Sequence, residues 1–457
     1  MNKKRMGWMV LGTGLALSVA VTPSLAQAAA AAVQDQFNAL VARMKGEKPK
    51  LAAAHKKQLE ERYDLADRPG KTTMSRGKPL QEGVRAKLAS GVTWEALGEM
   101  TPAEVKQKGW WPKGFLPLPH PNHPEGGMLF PKAHIDEVKQ QTGRDLERFD
   151  LDHDFPSHLL PEFPPAIYLT TRPDLGDVSQ GRLVTLDNYE DLLGGVLNPK
   201  QLEGVRLLVS PVPQAQFNAT HDRRSLRPSL GVACFDCHAN GHTNAATHLL
   251  GDVRPQENRP RIDTPSLRGV NVQRLFGSKR ALKTVEDFTE FEQRAAYFDG
   301  DPAAATRKGV RILERGSEVH FMSEFESILD FPPAPKLGVD GLLDPSKATE
   351  AELRGQAIFF GKGKCGTCHQ APFYTDNLMH NLQTERFYAP VTYEGHKAVG
   401  DGPIKTFPLR GLKDSPPYLH DGRLLTIEDS VEFFNLVVGA KLTRAEKSDL
   451  TAFLKAL

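Results

Sequence analysis

The four cysteines of the chain fall in two five-residue stretches, Cys234-Phe-Asp-Cys-His238 and Cys365-Gly-Thr-Cys-His369. Paired thiols two residues apart, each pair followed directly by an imidazole, form the attachment pattern of c-type haem. Cys234 and Cys237 in one stretch, and Cys365 and Cys368 in the other, are the thiols that would form thioethers with the haem vinyl groups. His238 and His369 are the rings that would reach iron as proximal ligands. The rival reading is one zinc held by four cysteines, whose paired motifs sit roughly 15–20 residues apart. Here well over a hundred residues separate the pairs, and a ring nitrogen follows each one. The expectation is two covalently bound haem c groups, with no cysteine left for a disulfide.

The elements that position these motifs are themselves duplicated. Thr264-Pro-Ser-Leu-Arg-Gly-Val270 follows the first motif, and Thr406-Phe-Pro-Leu-Arg-Gly-Leu412 follows the second, 142 positions later. The same offset aligns Leu282-Lys-Thr-Val-Glu-Asp287 with Leu424-Leu-Thr-Ile-Glu-Asp429 without a gap. Thr284 with Asp287, and Thr426 with Asp429, fit the capping pattern that opens a helix. Thr349-Glu-Ala-Glu352 predicts a helix running into Phe359-Phe360 just before the second motif. Thr443-Arg-Ala-Glu446 predicts another, whose Leu450, Phe453, Leu454 and Leu457 form one apolar stripe. A helix before CxxCH and one at the C-terminal end are the pair that cross in cytochrome c domains. The predicted fold class is mainly α, with two cytochrome c-like haem domains carrying long loops and an irregular N-terminal extension. The expected boundaries are 231–345 for the first haem domain and 346–457 for the second, with 331–345 as linker. The N-terminal extension spans 29–230 and packs on the haem domains.

Residues 1–28 read as an export signal: Lys3, Lys4 and Arg5, then the apolar run 6–21, then Ala26-Gln-Ala28 as a small-x-small cleavage site. Gly12, Gly14 and Pro23 break that run, which falls short of the ~20 apolar residues of a membrane span. Export to the periplasm agrees with haem attachment, and no other stretch predicts a span. Lys and Arg total 58 against 56 Asp and Glu, a balance that points to neither nucleic acid nor an anionic surface. The 34 prolines and 39 glycines predict a loop-rich chain whose apolar core the porphyrins would supplement. Helical spacing of Val33, Phe37, Leu40, Val41 and Met44 predicts an amphipathic helix over 33–46. The stretch Trp110-Trp-Pro-Lys-Gly-Phe-Leu-Pro-Leu-Pro-His120-Pro-Asn-His123-Pro is too proline-rich for helix or central strand. It reads as an extended cover over the haem domains, or as a source of Trp110, Trp111, His120 or His123 near a haem. Segment 150–232 shows little regular periodicity.

Thr264-Pro-Ser-Leu-Arg, the second CxxCH followed by Phe373-Tyr-Thr-Asp-Asn-Leu-Met-His380-Asn, and Pro416-Pro-Tyr-Leu-His420-Asp-Gly-Arg423 together resemble the bacterial di-haem cytochrome c peroxidase and MauG family. The resemblance covers about residues 231–457. The longer N-terminal part sets the chain in a divergent branch. The resemblance implies an oxidoreductase that reduces hydrogen peroxide to water through high-valent haem iron. His238 then belongs to the peroxidatic haem and His369 to an electron-transfer haem. A small periplasmic donor, a cytochrome c or cupredoxin, would supply electrons to a monomer or homodimer. Peroxide cleavage needs a group that moves a proton between the two oxygens; Glu290 or Glu292 is the candidate, with Glu286 and Asp287 read as cap residues. His248 is the candidate for a distal ligand of the first iron, and His242 lies nearby.

Three family positions differ here. The Met or Tyr that would ligate the second iron is replaced by Phe434, leaving Met379, Tyr388, Tyr393, His380 and His396 as candidates beside an open site. The Trp between the haems is replaced by Phe276. An inter-domain calcium ion would fall to Gly269, Ser415 and Pro417, of which the glycine offers only its carbonyl. Alternative functions are a MauG-like enzyme oxidising residues of a partner protein, a di-haem oxygenase, and an electron-transfer cytochrome.

Overall fold

The computed structural model describes residues 25–119, 121, 128–147, 151–152, 155–211, 233–248, 261–297, 315–390, 392–393, 396–397 and 401–457. The fold is mainly α, with strands confined to short pairs. Helix α1 (Leu25–Arg62) is longer than the helix expected over 33–46, because residues rich in Ala, Lys and Glu continue on both sides of it. Met44, His55 and Leu59 are buried along one of its faces. Of the expected export signal, residues 1–24 lie outside the described residues.

The N-terminal extension continues through an antiparallel pair, β1 (Pro69–Thr73) and β2 (Pro79–Gln81), and two short helices, α2 (Trp94–Glu99) and α3 (Pro102–Lys108). Thr101 caps α3: its hydroxyl accepts from Glu104 N at 3.3 Å, and its own N–H donates to Glu104 Oε2 at 2.8 Å. The proline-rich stretch from Trp110 is extended apart from one 3-10 turn at Lys113–Phe115. Its Trp111 stacks on Phe387 at 4.5 Å and meets Phe433 edge-on at 5.9 Å. Trp111 therefore serves as core; burying such a side chain contributes about 1.5–3 kcal/mol. His120 and His123 lie outside the described residues. Charge also fixes the extension in place. Asp429 accepts from Arg85 N and Ala86 N, and Asp421 Oδ2 accepts from Leu118 N at 2.8 Å. Asp421 in turn shares Arg423 with Asp401, all three side chains having no solvent exposure.

Helix α4 (Lys132–Thr142) leads into the segment expected to be irregular, which holds α5 (Tyr189–Leu193) and α6 (Pro199–Val209). Asn198 and Gln201 form a reciprocal cap at the start of α6, with Pro199 at its first position. The first motif forms the short helix α7 (Cys234–Cys237), followed by α8 (Val285–Tyr297) and α9 (His320–Glu326). The second half holds α10 (Glu350–Phe360), its motif as a 3-10 turn at Cys365–Thr367, then α11 (Ile427–Val438) and α12 (Arg444–Leu454).

Both halves hold a tight helix crossing. A Cβ on Gly355 of α10 would stand 2.0 Å from the Asp449 carbonyl oxygen of α12. A Cβ on Gly204 of α6 would stand 2.0 Å from the Phe321 carbonyl oxygen of α9. The α10–α12 pair is the crossing that the sequence predicts for the second half. Its counterpart in the first half uses α6, which precedes residue 231. The 142-residue repeat also holds in space. Phe276 bridges Leu282 as Tyr418 bridges Leu424. Thr284 Oγ1 accepts from Asp287 N at 3.0 Å, as Thr426 Oγ1 does from Asp429 N at 3.1 Å.

The remaining strands are two-residue pairings. β3 (Met128–Leu129), β4 (Thr247–His248) and β5 (Ile262–Asp263) form one sheet; β6 (Met379–His380) pairs with β9 (Ile404–Lys405), and β7 (Thr392–Tyr393) with β8 (His396–Lys397).

Candidate active site

One cavity of about 590 Å³ receives residues from both motifs, including Cys234, His238, Cys365 and His369. In each motif a backbone carbonyl orients the imidazole. His238 Nδ1 lies 3.0 Å from Pro265 O, and His369 Nδ1 lies 2.8 Å from Tyr374 O. Each carbonyl fixes Nδ1 as the donor, which leaves Nε2 as the lone-pair atom. Burial keeps both rings neutral: it lowers His238 to about 4 against the opposing pull of Pro265 O, and it lowers His369 as well. Burial also pushes Cys234 and Cys365 up to about 12. Paired thiols, an oriented neutral imidazole and a largely apolar cavity fit a c-type haem at each motif. The first motif is held from the extension, since Arg144 Nη1 lies 2.7 Å from Asp236 Oδ1 and Asp236 also accepts from Ala233 N.

The two ends of the cavity differ in chemistry. At the first end α8 contributes Thr289 and Glu292, and α9 contributes Glu326. The residues 142 positions later, Val431 and Phe434 of α11, line the second end. Leu454 of α12 lines it too, five residues beyond Asp449 of the helix crossing, as Glu326 lies five beyond Phe321. Hydroxyl, carboxyl and carboxyl therefore stand where the other end has isopropyl, phenyl and isobutyl. Burial raises Glu326 to about 7, with the Thr289 hydroxyl bond opposing it.

Of the two predicted carboxylates, Glu292 lines the cavity and Glu290 does not. Sequence reasoning missed Thr289 and Glu326. The 142-residue offset, extended by two positions, would have paired Thr289 with Val431. Nothing in the sequence pairs Glu326 with Leu454, because that correspondence comes from the helix crossing.

His248 lies on β4, and its side chain is outside the described residues. His242 lines the cavity, but both its nitrogens are engaged: Nδ1 with Ser266 Oγ at 2.7 Å and Nε2 with Asp414 O at 2.9 Å. At the second end Phe434 lines the cavity, and so does His380. His380 Nε2 lies 2.7 Å from Asp376 Oδ2, and ligand atoms of His380, Asp376 and Cys368 fall within 4.8 Å of one another. That places the His380 ring by an attachment thiol, at the cavity rim. Met379 pairs through β6 with Lys405, and Tyr388 packs against Trp111; neither lines the cavity. The side chains of Tyr393 and His396 are outside the described residues. Phe276 lines the cavity as expected of an aromatic neighbour.

The residues expected to hold calcium lie where the chain packs closely. A Cβ on Gly269 would stand 2.0 Å from the Phe331 ring. The next residue back, Arg268, is buried with its Nη1 2.9 Å from Asp414 Oδ2. Asp414 also accepts from Ser75 N at 3.0 Å, and its carbonyl lies 2.9 Å from His242 Nε2. A calcium ion takes six to eight oxygens; of the three expected, Gly269 O accepts from Val272 N at 3.2 Å, and the neighbouring Asp414 carboxylate is paired with Arg268.

No family model matches the chain. A cytochrome-c peroxidase IdrP2 of Denitromonas iodatirespirans is 32% identical over 151 residues, covering 25% of this chain and 41% of that protein. The methylamine utilization protein MauG of Methylorubrum extorquens is 28% identical over 123 residues, covering 23% and 33% respectively. Over these stretches the chain is similar to cytochrome-c peroxidases and to MauG. The chain spans about two fifths of the length of the IdrP2 relative. Among solved structures, Kuenenia stuttgartiensis hydrazine synthase superposes with a TM-score of 0.39 at 18% identity, over 60% of this chain and 93% of that one. The di-haem peroxidase BthA of Burkholderia thailandensis gives 0.35 at 18%, over 56% and 85%.

Proposed function

We propose that the chain is a periplasmic di-haem c-type peroxidase that reduces hydrogen peroxide to water, with electrons relayed from the second haem to the first. The observation that carries this reading is the unequal lining of one cavity that reaches both CxxCH motifs. Peroxide reduction consumes two protons with its two electrons, so proton-bearing groups belong where the oxygens react and are not needed where electrons only pass. Cys234, Cys237 and His238 would hold one haem, and Cys365, Cys368 and His369 the other. Bound haem would supply the electrons that reduce peroxide.

The chain's own residues supply the rest. The Pro265 and Tyr374 carbonyls hold the two rings in one tautomer. Glu292 takes a proton from one peroxide oxygen and returns it to the other, so that water leaves. Phe434, Val431 and Leu454 exclude water from the second end. Export follows from the first 28 residues, and among the described residues no helix is long and apolar enough to cross a membrane. The electron donor would be a small periplasmic cytochrome c or cupredoxin.

The test is peroxide consumption by the purified protein with and without a reduced donor, with visible and near-infrared spectra after one equivalent of peroxide. Rapid donor-dependent turnover supports the peroxidase. A long-lived oxidised state with little turnover points instead to oxidation of a partner protein, and no reaction sinks both.

A further inference from the structure

Glu326 is 6% exposed, and the only partner within bonding distance among the described residues is the Thr289 hydroxyl, at 2.9 Å from Oε2. A buried carboxylate with no cation against it is costly, so such a group takes up a proton instead. The contact itself points the same way. Thr289 Oγ1 also lies 2.9 Å from the Val285 carbonyl, an oxygen that can only accept. A threonine hydroxyl carries one proton. If that proton goes to Val285 O, the bond to Glu326 forms only when the carboxyl is protonated and donates. With Glu326 ionised, the hydroxyl must turn from Val285 to the carboxylate. Thr289 is thus a two-position switch that reads the protonation of Glu326. Glu292, three residues on, projects from the same face of α8.

The charged neighbours on the surrounding elements are already compensated. From α8, Glu286 faces His320 at 2.8 Å. In the motif helix α7, Asp236 is tied to Arg144. On α6, Arg206 is paired with Glu203 at 2.6 Å, with Glu318 acting on the same guanidinium from further off. Glu326 and Glu292 both act on Cys234, so both lie near the first attachment site. The equivalent position at the second end is Leu454, which shows that this packing site accepts an apolar side chain.

We propose that Glu326 is a proton-holding residue of the first haem site, taking up one proton from solvent for each electron that site gains and releasing it through Thr289 toward Glu292. The inference rests on the di-haem reading above. The charge balances: one electron arriving from the second haem is matched by one proton on the carboxylate, and both leave together when an oxygen of peroxide is reduced. Burial places the titration near neutrality, at about 7, where a proton held and released costs little.

The test is a spectroelectrochemical titration of each haem of the intact protein across pH 6 to 8, about a unit on either side of the Glu326 value, for the native chain, Glu326→Gln and Glu326→Leu. Redox-difference infrared spectra are taken on the same samples. The expected result is a potential of the first haem that falls as pH rises in the native protein and is flat in both variants, together with a carboxylic-acid band that appears on reduction only in the native protein. The potential of the second haem should be flat in all three. Thr289→Val, which removes the relay and keeps the holder, should retain the slope and slow peroxide consumption. A native slope that survives in Glu326→Gln, or a flat native potential, overturns the inference while leaving the di-haem reading intact. A protein that binds no haem overturns both.

Discussion

The two ends of the cavity share a scaffold and differ, among other side chains, at three equivalent positions. Thr289, Glu292 and Glu326 at the first end face Val431, Phe434 and Leu454 at the second. Helices α8 and α11 start at equivalent capped threonines, and α9 and α12 meet equivalent glycines of α6 and α10. A duplicated frame has therefore been kept while its lining changed. Buried polar groups such as Thr289 and Glu326 cost stability unless they are bonded or do chemistry, and on the proposed reading their place at the first end would separate proton handling from electron transfer.

The largest effect should come from the motifs. Replacing Cys234 and Cys237 by alanine should leave one covalent haem of two and abolish peroxide consumption. The matching change at Cys365 and Cys368 should also leave one but remove only the donor-dependent turnover. A pyridine haemochrome count with peroxide assays checks both, and equal activity from the two variants would erase the functional difference between the ends. Next, Glu292→Gln should lower peroxide consumption by about 10²–10⁴-fold, and Glu290→Gln should not. The reverse order would move the acid–base role to a residue outside the cavity lining.

Gly204→Ala and Gly355→Ala should each destabilise by about 1–3 kcal/mol, because each added methyl meets a carbonyl oxygen in the facing helix. Denaturant midpoints of the two variants compare the crossings directly, and a neutral Gly204→Ala would break the equivalence of the halves. A smaller effect concerns acid. Burial alone would raise Asp421, but Arg423 and its neighbours hold it down to about 2. A folded value below the unfolded one contributes stability at pH above about 4 that is lost as pH falls toward 2. Asp421→Asn should flatten that part of the stability–pH curve, and an unchanged curve would remove Asp421 as its source. The smallest effect is expected from calcium removal. A chelator should leave the melting temperature unchanged, because Arg268 already pairs with the Asp414 carboxylate; a clear fall would support a calcium site.

The sequence by itself determined the two CxxCH stretches and the duplication, because these depend on residue types at short fixed spacing. It also located the helices opened by Thr349, Thr426 and Thr443, whose caps are local hydrogen bonds. It did not distinguish Glu290 from Glu292, since two residues apart on a helix become inside and outside only when a partner covers one face. It missed α6 as a partner of the first motif, because the contact is a glycine against a carbonyl more than a hundred residues away. The pairing of Glu326 with Thr289 spans 37 residues and two helices. Only tertiary packing could bring that carboxyl out of water, and only loss of water gives it a proton to hold near neutrality.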